Sequence, residues 1–294
     1  IDVSLVGSEM CIRDRIFRAT DVLSFAQPAM VVVGAGIISY FSTQIGIPFI
    51  VAFFLGIILT GVLGLILERT FLRPMVGEPV FSVAVLTIGI DILLRVVLDN
   101  WIGINPKYMG DPFPSYGNFG SFNMAGLTVK YLEVTALITA LMLIFVLSVF
   151  FKKSKYGVAM RATSLDQEAA LAQGINVGRV FGLVWFIAGL LAAFAGFFIT
   201  GGFNTLTNTS FISALRALPA VVIGGLDSVT GAVVGSLIIG LTQAYVGYYQ
   251  FDIESAYNIK LGNGFSIVAP YVIMFVILIV KPDGLFGTEE VERV

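Results

Sequence analysis

The sequence predicts an all-α, polytopic integral membrane protein with about seven or eight transmembrane helices and one short helix on the cytoplasmic side. Three observations carry this prediction. Of the 294 residues, 57% are hydrophobic, and the mean hydropathy is +0.94. Only 12% are charged, about half the share usual in soluble domains. The apolar residues also gather into runs of roughly 20, the length a helix needs to cross the hydrocarbon layer.

Composition narrows function before any motif is read. A net charge of -2 provides no basic face for phosphates, which excludes a nucleic-acid partner. Histidine is absent and Cys11 is the single cysteine, so imidazole-assisted catalysis, Cys/His metal sites and disulfide frameworks are not expected. No catalytic residue and no metal ligand is assigned.

The elements follow in order. Residues 1–15 hold five charges and lack the order of a signal peptide. They resemble the translated sequencing-adapter scar found at the ends of some metagenomic gene predictions, and are set aside from fold reasoning. A short cytoplasmic leader is the plain alternative. On the scar reading the gene is truncated at its start, and residues 16–294 form a single transmembrane domain.

Residues 28–67 carry no charge and are broken by Gly46-Ile47-Pro48, which reads as two helices joined by a tight turn. Residues 80–100 form the next span and contain Asp91, Arg95 and Asp99; residues 134–151 form another. The uncharged run 180–215 supplies one span ending near Thr200, and 228–251 and 261–280 complete seven. An eighth candidate, 211–225, is short, contains Arg216 and Pro219, and ends in Gly224-Gly225. It reads as a short tilted span or a re-entrant half-helix, with Arg216 and Asp227 as anchors at its ends.

Basic residues orient the chain. Lys152, Lys153, Lys155 and Arg161 lie in loop 152–178, Arg69 and Arg73 in loop 68–79, and Lys281 and Arg293 in the tail. The opposite loops hold only Lys107, Lys130 and Lys260. This bias places loops 68–79 and 152–178 and the C-terminus in the cytoplasm, provided that 211–225 crosses. Loop 101–131 then faces outside, and Glu68 with Arg69 and Arg73 reads as an interfacial collar.

Loop 152–178 is the most informative segment. Glu168, Ala169 and Ala170 favour a helix, and Gly174 stands where that helix would stop. A short helix, a glycine turn and a new span suit docking into a groove on a cytoplasmic protein. An ordinary solvated connection is the plain reading of the same charges.

The spacing Glu168-Ala169-Ala170 with Gly174 resembles the EAA-xxx-G coupling loop of ABC-importer permeases, through which ATPase subunits move the membrane helices. The wider pattern resembles the branched-chain amino acid (LIV-type) permease family. Its residues here are Ser24-Phe25-Ala26-Gln27, Arg161-Ala162, Gly174-Ile175-Asn176, then Gly224-Gly225 with Ser228, Gly231-Ala232 and Gly235. Lys281-Pro282-Asp283-Gly284-Leu285-Phe286-Gly287 closes the series. These five motifs stand in family order between residues 16 and 287. Two departures appear: the family's first helix is missing before Ser24, and Gln27-Pro28 replaces the usual His-Gly.

The resemblance implies an inner-membrane, multi-pass permease working by alternating access. It implies three kinds of protein partner within the lipid bilayer system: ABC ATPase subunits, a second homologous permease subunit, and an extracytoplasmic substrate-binding protein. The chain itself carries no nucleotide-binding G-xxxx-G-K-[ST] pattern, so no cofactor is assigned to it and ATP would be used by the partners. A urea or short-amide importer shares these motifs. An ion-coupled secondary transporter or channel would need no coupling helix and should show paired broken helices in internal repeats.

Substrate-path candidates are Asp91, Arg95, Gln27, Gly224 and Gly225. Asp91 and Arg95 lie four apart on one helix and can pair; charges at membrane depth are costly and point to function, while an ion pair that orients helices fits equally. Gly231 and Gly235 have the small-xxx-small spacing that lets backbones approach in lipid, and close packing is the simpler role for the whole glycine-rich segment.

Overall fold

Helices dominate because backbone in hydrocarbon can bond only to itself. The computed structural model describes residues 24–75, 79–102, 107–108, 121–124, 127–165, 167–201, 205–206, 217–225, 228–257, 262 and 265–287. The adapter-like segment 1–15, Arg216 and Asp227 lie outside the described residues.

Helix α1 (Gln27–Ser39) runs into a π-helical turn (Tyr40–Gln44). Gly46, at φ 76°, and Pro48 at the N-cap position then reverse the chain into α2 (Phe49–Leu67), as the Gly-Ile-Pro break predicts. A second π-helical turn (Glu68–Leu72) and a 3-10 turn (Arg73–Met75) extend α2. Helix α3 (Val80–Ile102) and α4 (Tyr131–Lys153) follow, then the short α5 (Lys155–Leu165) and α6 (Gln167–Ala172). Helices α7 (Val177–Gly201), α8 (Ala217–Gly224), α9 (Val229–Tyr257) and α10 (Phe265–Val280) complete the series.

Five helical stretches among the described residues are long and apolar enough to cross a membrane: Phe49–Met75, Phe81–Trp101, Tyr131–Lys153, Val177–Thr200 and Thr230–Asp252. The chain is a multi-pass membrane protein. Helices α1, α8 and α10 are shorter. The eight residues of α8 rise only about 12 Å, less than half the hydrocarbon thickness, so its described part is a half-helix.

Short strands add to this all-α architecture. Strands β2 (Ser121–Met124) and β3 (Leu127–Lys130) pair as an antiparallel hairpin. Strand β1 (Lys107–Tyr108) pairs antiparallel with β4 (Thr205–Leu206). From sequence, 101–131 and 201–210 read as loops on one side of the membrane, with neither ladder anticipated.

The chain divides into two compact units, Ile1–Phe211 and Ile212–Val294. In the first, α1, α2 and α7 pack together and meet at small residues. A Cβ on Gly34 would lie 2.6 Å from the Ala193 backbone, and one on Gly189 would lie 2.5 Å from the Thr60 carbonyl oxygen. Gly64 abuts the Trp185 carbonyl, and Gly56 abuts Ile38. From Gly64 to Thr60 the α7 partner advances from Trp185 to Gly189, and from Gly64 to Gly56 the α1 partner advances from Met30 to Ile38, so α2 lies antiparallel to both α1 and α7. Met30 and Ile38 are fully buried at this junction, flanked by Phe49, Phe53 and Phe197, whose rings lie 5.1–6.1 Å apart. Thr60 and Thr200 donate to carbonyl oxygens four residues back, at 2.7 and 2.6 Å, so their hydroxyls are satisfied without water. Helix α4 instead leaves Leu137, Ile138, Leu141, Met142 and Phe145 exposed, a face suited to lipid or another membrane helix.

In the second unit, α9 packs against α8 and α10. Ala220, Ile223 and Ile239 form its buried core, with Ile273 and Leu285 against them.

Candidate functional site

The coupling-like loop folds from local signals. Helix α6 ends in a Schellman motif: the Ile175 N–H donates to the Ala170 carbonyl at 3.0 Å and the Gly174 N–H to the Leu171 carbonyl at 2.9 Å. The left-handed backbone of Gly174, φ 80°, makes this possible. A Cβ there would meet nothing within 4 Å, so glycine is needed for conformation rather than space. Asn176 then caps α7, its Oδ1 accepting from the Arg179 N–H at 3.1 Å. Glu168 lies on α6. Ala170 turns inward, 3% exposed, while Ala169, Leu171 and Ala172 are exposed. The result is a short loop helix with one buried and one open side.

A second feature lies inside the membrane-spanning region. Helices α1 and α3 run parallel in register: the Phe25 N–H donates to Thr87 Oγ1 at 3.3 Å, the Ala29 amide faces the Asp91 carboxylate, and Tyr40 packs on Trp101 with ring centroids 5.0 Å apart. Asp91 is the twelfth of the 23 residues of α3, so α1 begins near the mid-depth of its neighbour. A helix start leaves backbone N–H groups without partners, and hydrocarbon supplies none. Ala26 gives no side-chain cap, and a proline occupies the first turn, where its missing N–H is an advantage. Thr87 and Asp91 serve the exposed amides from α3, with the Asp91 charge at the positive end of the α1 dipole.

Arg95, one turn along α3, forms an ion pair with Asp91. Asp91 is 5% exposed. Its Oδ1 and the Ser24 hydroxyl are buried and make no hydrogen bond among the described residues. Gln27, half-buried, opens α1 two residues before Ala29. The structure thus pairs two predicted path residues, Asp91 and Arg95, beside the first turn of α1, which the third, Gln27, opens. Thr87 and Ser24 were missed by sequence reasoning. For Thr87 the signal lies in the spacing, since 87, 91 and 95 form a polar stripe at four-residue intervals.

The other two path candidates, Gly224 and Gly225, lie in the second unit in tight packing. Gly224 abuts Gly231, Gly235 abuts the Ala220 carbonyl, and a Cβ on Gly225 would sit 2.5 Å from the Gly287 backbone nitrogen. The Lys281–Gly287 tail closes on this point: the Leu285 N–H donates to the Ile223 carbonyl at 2.8 Å and the Phe286 N–H to the Gly224 carbonyl at 3.0 Å. These bonds satisfy the last carbonyls of α8, which the helix itself leaves open.

Glu68 differs from the collar reading. It is 3% exposed, with Arg73 Nε 3.6 Å from its Oε1, against the start of α7 rather than in solvent.

A helical, multi-pass membrane protein with a capped loop helix and a polar junction between its helices fits the class of membrane permeases. The chain is a member of the family described as "branched-chain amino acid transport system / permease component", which matches residues 16–280. It is 27% identical over 244 residues to the high-affinity branched-chain amino acid transport system permease protein BraD of Pseudomonas aeruginosa, covering 83% of this chain and 76% of that one. It is 29% identical over 252 residues to LivH of Salmonella typhimurium, covering 83% and 77%. A probable branched-chain amino acid transport permease LivH of Methanocaldococcus jannaschii is 25% identical over 282 residues, covering 93% and 85%. No solved structure matches significantly.

Proposed function

We propose that this chain is the membrane-spanning permease subunit of an ABC importer that carries branched-chain amino acids across the inner membrane by alternating access. The observation that carries the reading is the α6–Gly174–α7 unit, a rigidly capped helix feeding straight into a membrane span, within a chain of this family. Residues 16–294 act as one permease domain with the C-terminus in the cytoplasm. Glu168, Ala169, Ala170 and Gly174 form the contact with partner ATPases, which bind and hydrolyse ATP. A second, homologous permease subunit completes the path, and an extracytoplasmic binding protein delivers substrate to the outer loops.

Substrate passes the polar junction of Gln27, Asp91 and Arg95. A zwitterionic amino acid needs one anionic and one cationic partner, and Asp91 and Arg95 supply this pair at mid-depth. Gly224 and Gly225 contribute through α8, a broken helix of the kind that lines transport routes, whose glycine contacts with α9 permit two packed arrangements.

The test is reconstitution in liposomes together with ABC ATPases, a second permease of this family and a binding protein from the source organism. ATP-dependent uptake of leucine, isoleucine or valine supports the reading. Uptake of urea or a short amide instead would reassign the substrate, and uptake without ATPase subunits, driven by an ion gradient, would replace the mechanism.

A further inference from the structure

We propose that Glu68 and Arg73 are positioning residues that hand the movement of the coupling loop from the start of α7 to α2. The inference rests on the reading of α6 and Gly174 as the ATPase contact.

In a π-helical turn, residues five apart stack, and the turn at the end of α2 bonds the Arg73 N–H to the Glu68 carbonyl. The two side chains therefore share one face, with Nε and Oε1 3.6 Å apart. That face meets α7 at two glycines one turn apart. A Cβ on Gly178 would lie 2.7 Å from Arg73 Nη2, and one on Gly182 would lie 3.3 Å from Glu68 Oε2. Gly178 stands four residues after Gly174, just past the Asn176 cap, so the pair grips the first part of α7 that loop movement reaches.

From there the contact continues as backbone against backbone, Gly64 on Trp185 and Thr60 on Gly189. Such packing transmits displacement because close-packed interfaces do not deform smoothly. A side chain of α2 that merely filled space would be apolar. Glu68 is buried while Arg73 is half-exposed; the cation balances the buried carboxylate, whose loss would leave an uncompensated charge, and holds both side chains against α7. A one-turn slip of α7 that put Gly182 where Gly178 stands would bring Phe186 against the Glu68 carboxylate, where even a Cβ on Gly182 lies 3.3 Å from Oε2.

The experiment compares Glu68→Gln, Arg73→Ala and Arg73→Lys in the reconstituted complete transporter, with Gly174→Asp alongside. ATPase co-purification, basal ATPase activity and substrate transported per ATP are measured. Glu68→Gln and Arg73→Ala should assemble with unchanged basal activity but lose about tenfold in transport per ATP, within the usual span of coupling between sites. Arg73→Lys, which keeps the charge, should recover at least half of that loss. Unchanged transport per ATP, loss of assembly in both variants, or no rescue by lysine would each overturn the proposal. Uncoupling by Gly174→Asp alone would leave the loop reading standing and remove only the Glu68–Arg73 link. If Gly174→Asp also stays coupled, the loop reading itself falls.

Discussion

Two kinds of glycine have to be told apart at the scale of single residues. Gly174 is required for its backbone, with open space around it, whereas Gly189 is required because α2 leaves no room for a Cβ. Substituting Gly174 by Ala should cost about 1–2 kcal/mol, the penalty for a side chain in the left-handed region, and Gly174→Asn less. Gly189→Ala should cost about 1–3 kcal/mol through overpacking. Thermal unfolding of the purified protein in detergent separates the cases: Asn should rescue position 174 and not position 189. Asp91 is a different test, because removing it takes away the carboxylate that balances Arg95 and serves the α1 amides. Asp91→Ala should destabilise by about 3–5 kcal/mol, and the Asp91→Ala/Arg95→Ala double variant by less than the single change. A double variant that loses the sum of the Asp91→Ala and Arg95→Ala single changes would mean that the two charges act independently.

Elements were legible in the sequence to the extent that each is determined locally. The run 28–67 broken at Gly46-Ile47-Pro48 became α1 and α2, and the stop at Gly174 became a Schellman turn, because both depend on neighbouring residues only. The β1–β4 ladder joins residues about a hundred positions apart, which no local pattern announces. The register of α7 was also hidden, although Gly182, Gly189 and Gly196 repeat every seven residues and each faces α1 or α2. Burial of Glu68 could not be read from charge counting, since the π-helical turn that aligns it with Arg73 has no sequence signature. The closing motif Lys281–Gly287 gains a physical reason as the cap of α8. Leu285→Pro removes the donor to the Ile223 carbonyl, leaving a buried acceptor open at about 1–3 kcal/mol. Protease resistance of the 217–287 segment in detergent should fall, whereas Phe286→Ala, which keeps its N–H, should retain most of it.

Across the whole molecule, the family and the multi-pass architecture stand on the match over residues 16–280 and on the five membrane-length stretches. The candidate site was partly legible: Asp91 and Arg95 stood out as charges in an apolar run, and the structure adds that they meet the start of α1. That junction explains why charge is tolerated there, since a helix beginning at mid-depth needs acceptors that lipid lacks. The measurement closest to the central claim is uptake of labelled leucine into liposomes holding the complete transporter, with and without ATP and with Gly174→Asp in this subunit. The account predicts ATP-dependent uptake that Gly174→Asp abolishes while the complex stays assembled. Leucine uptake that persists without ATP, or full ATP-driven uptake by the Gly174→Asp protein, would contradict it.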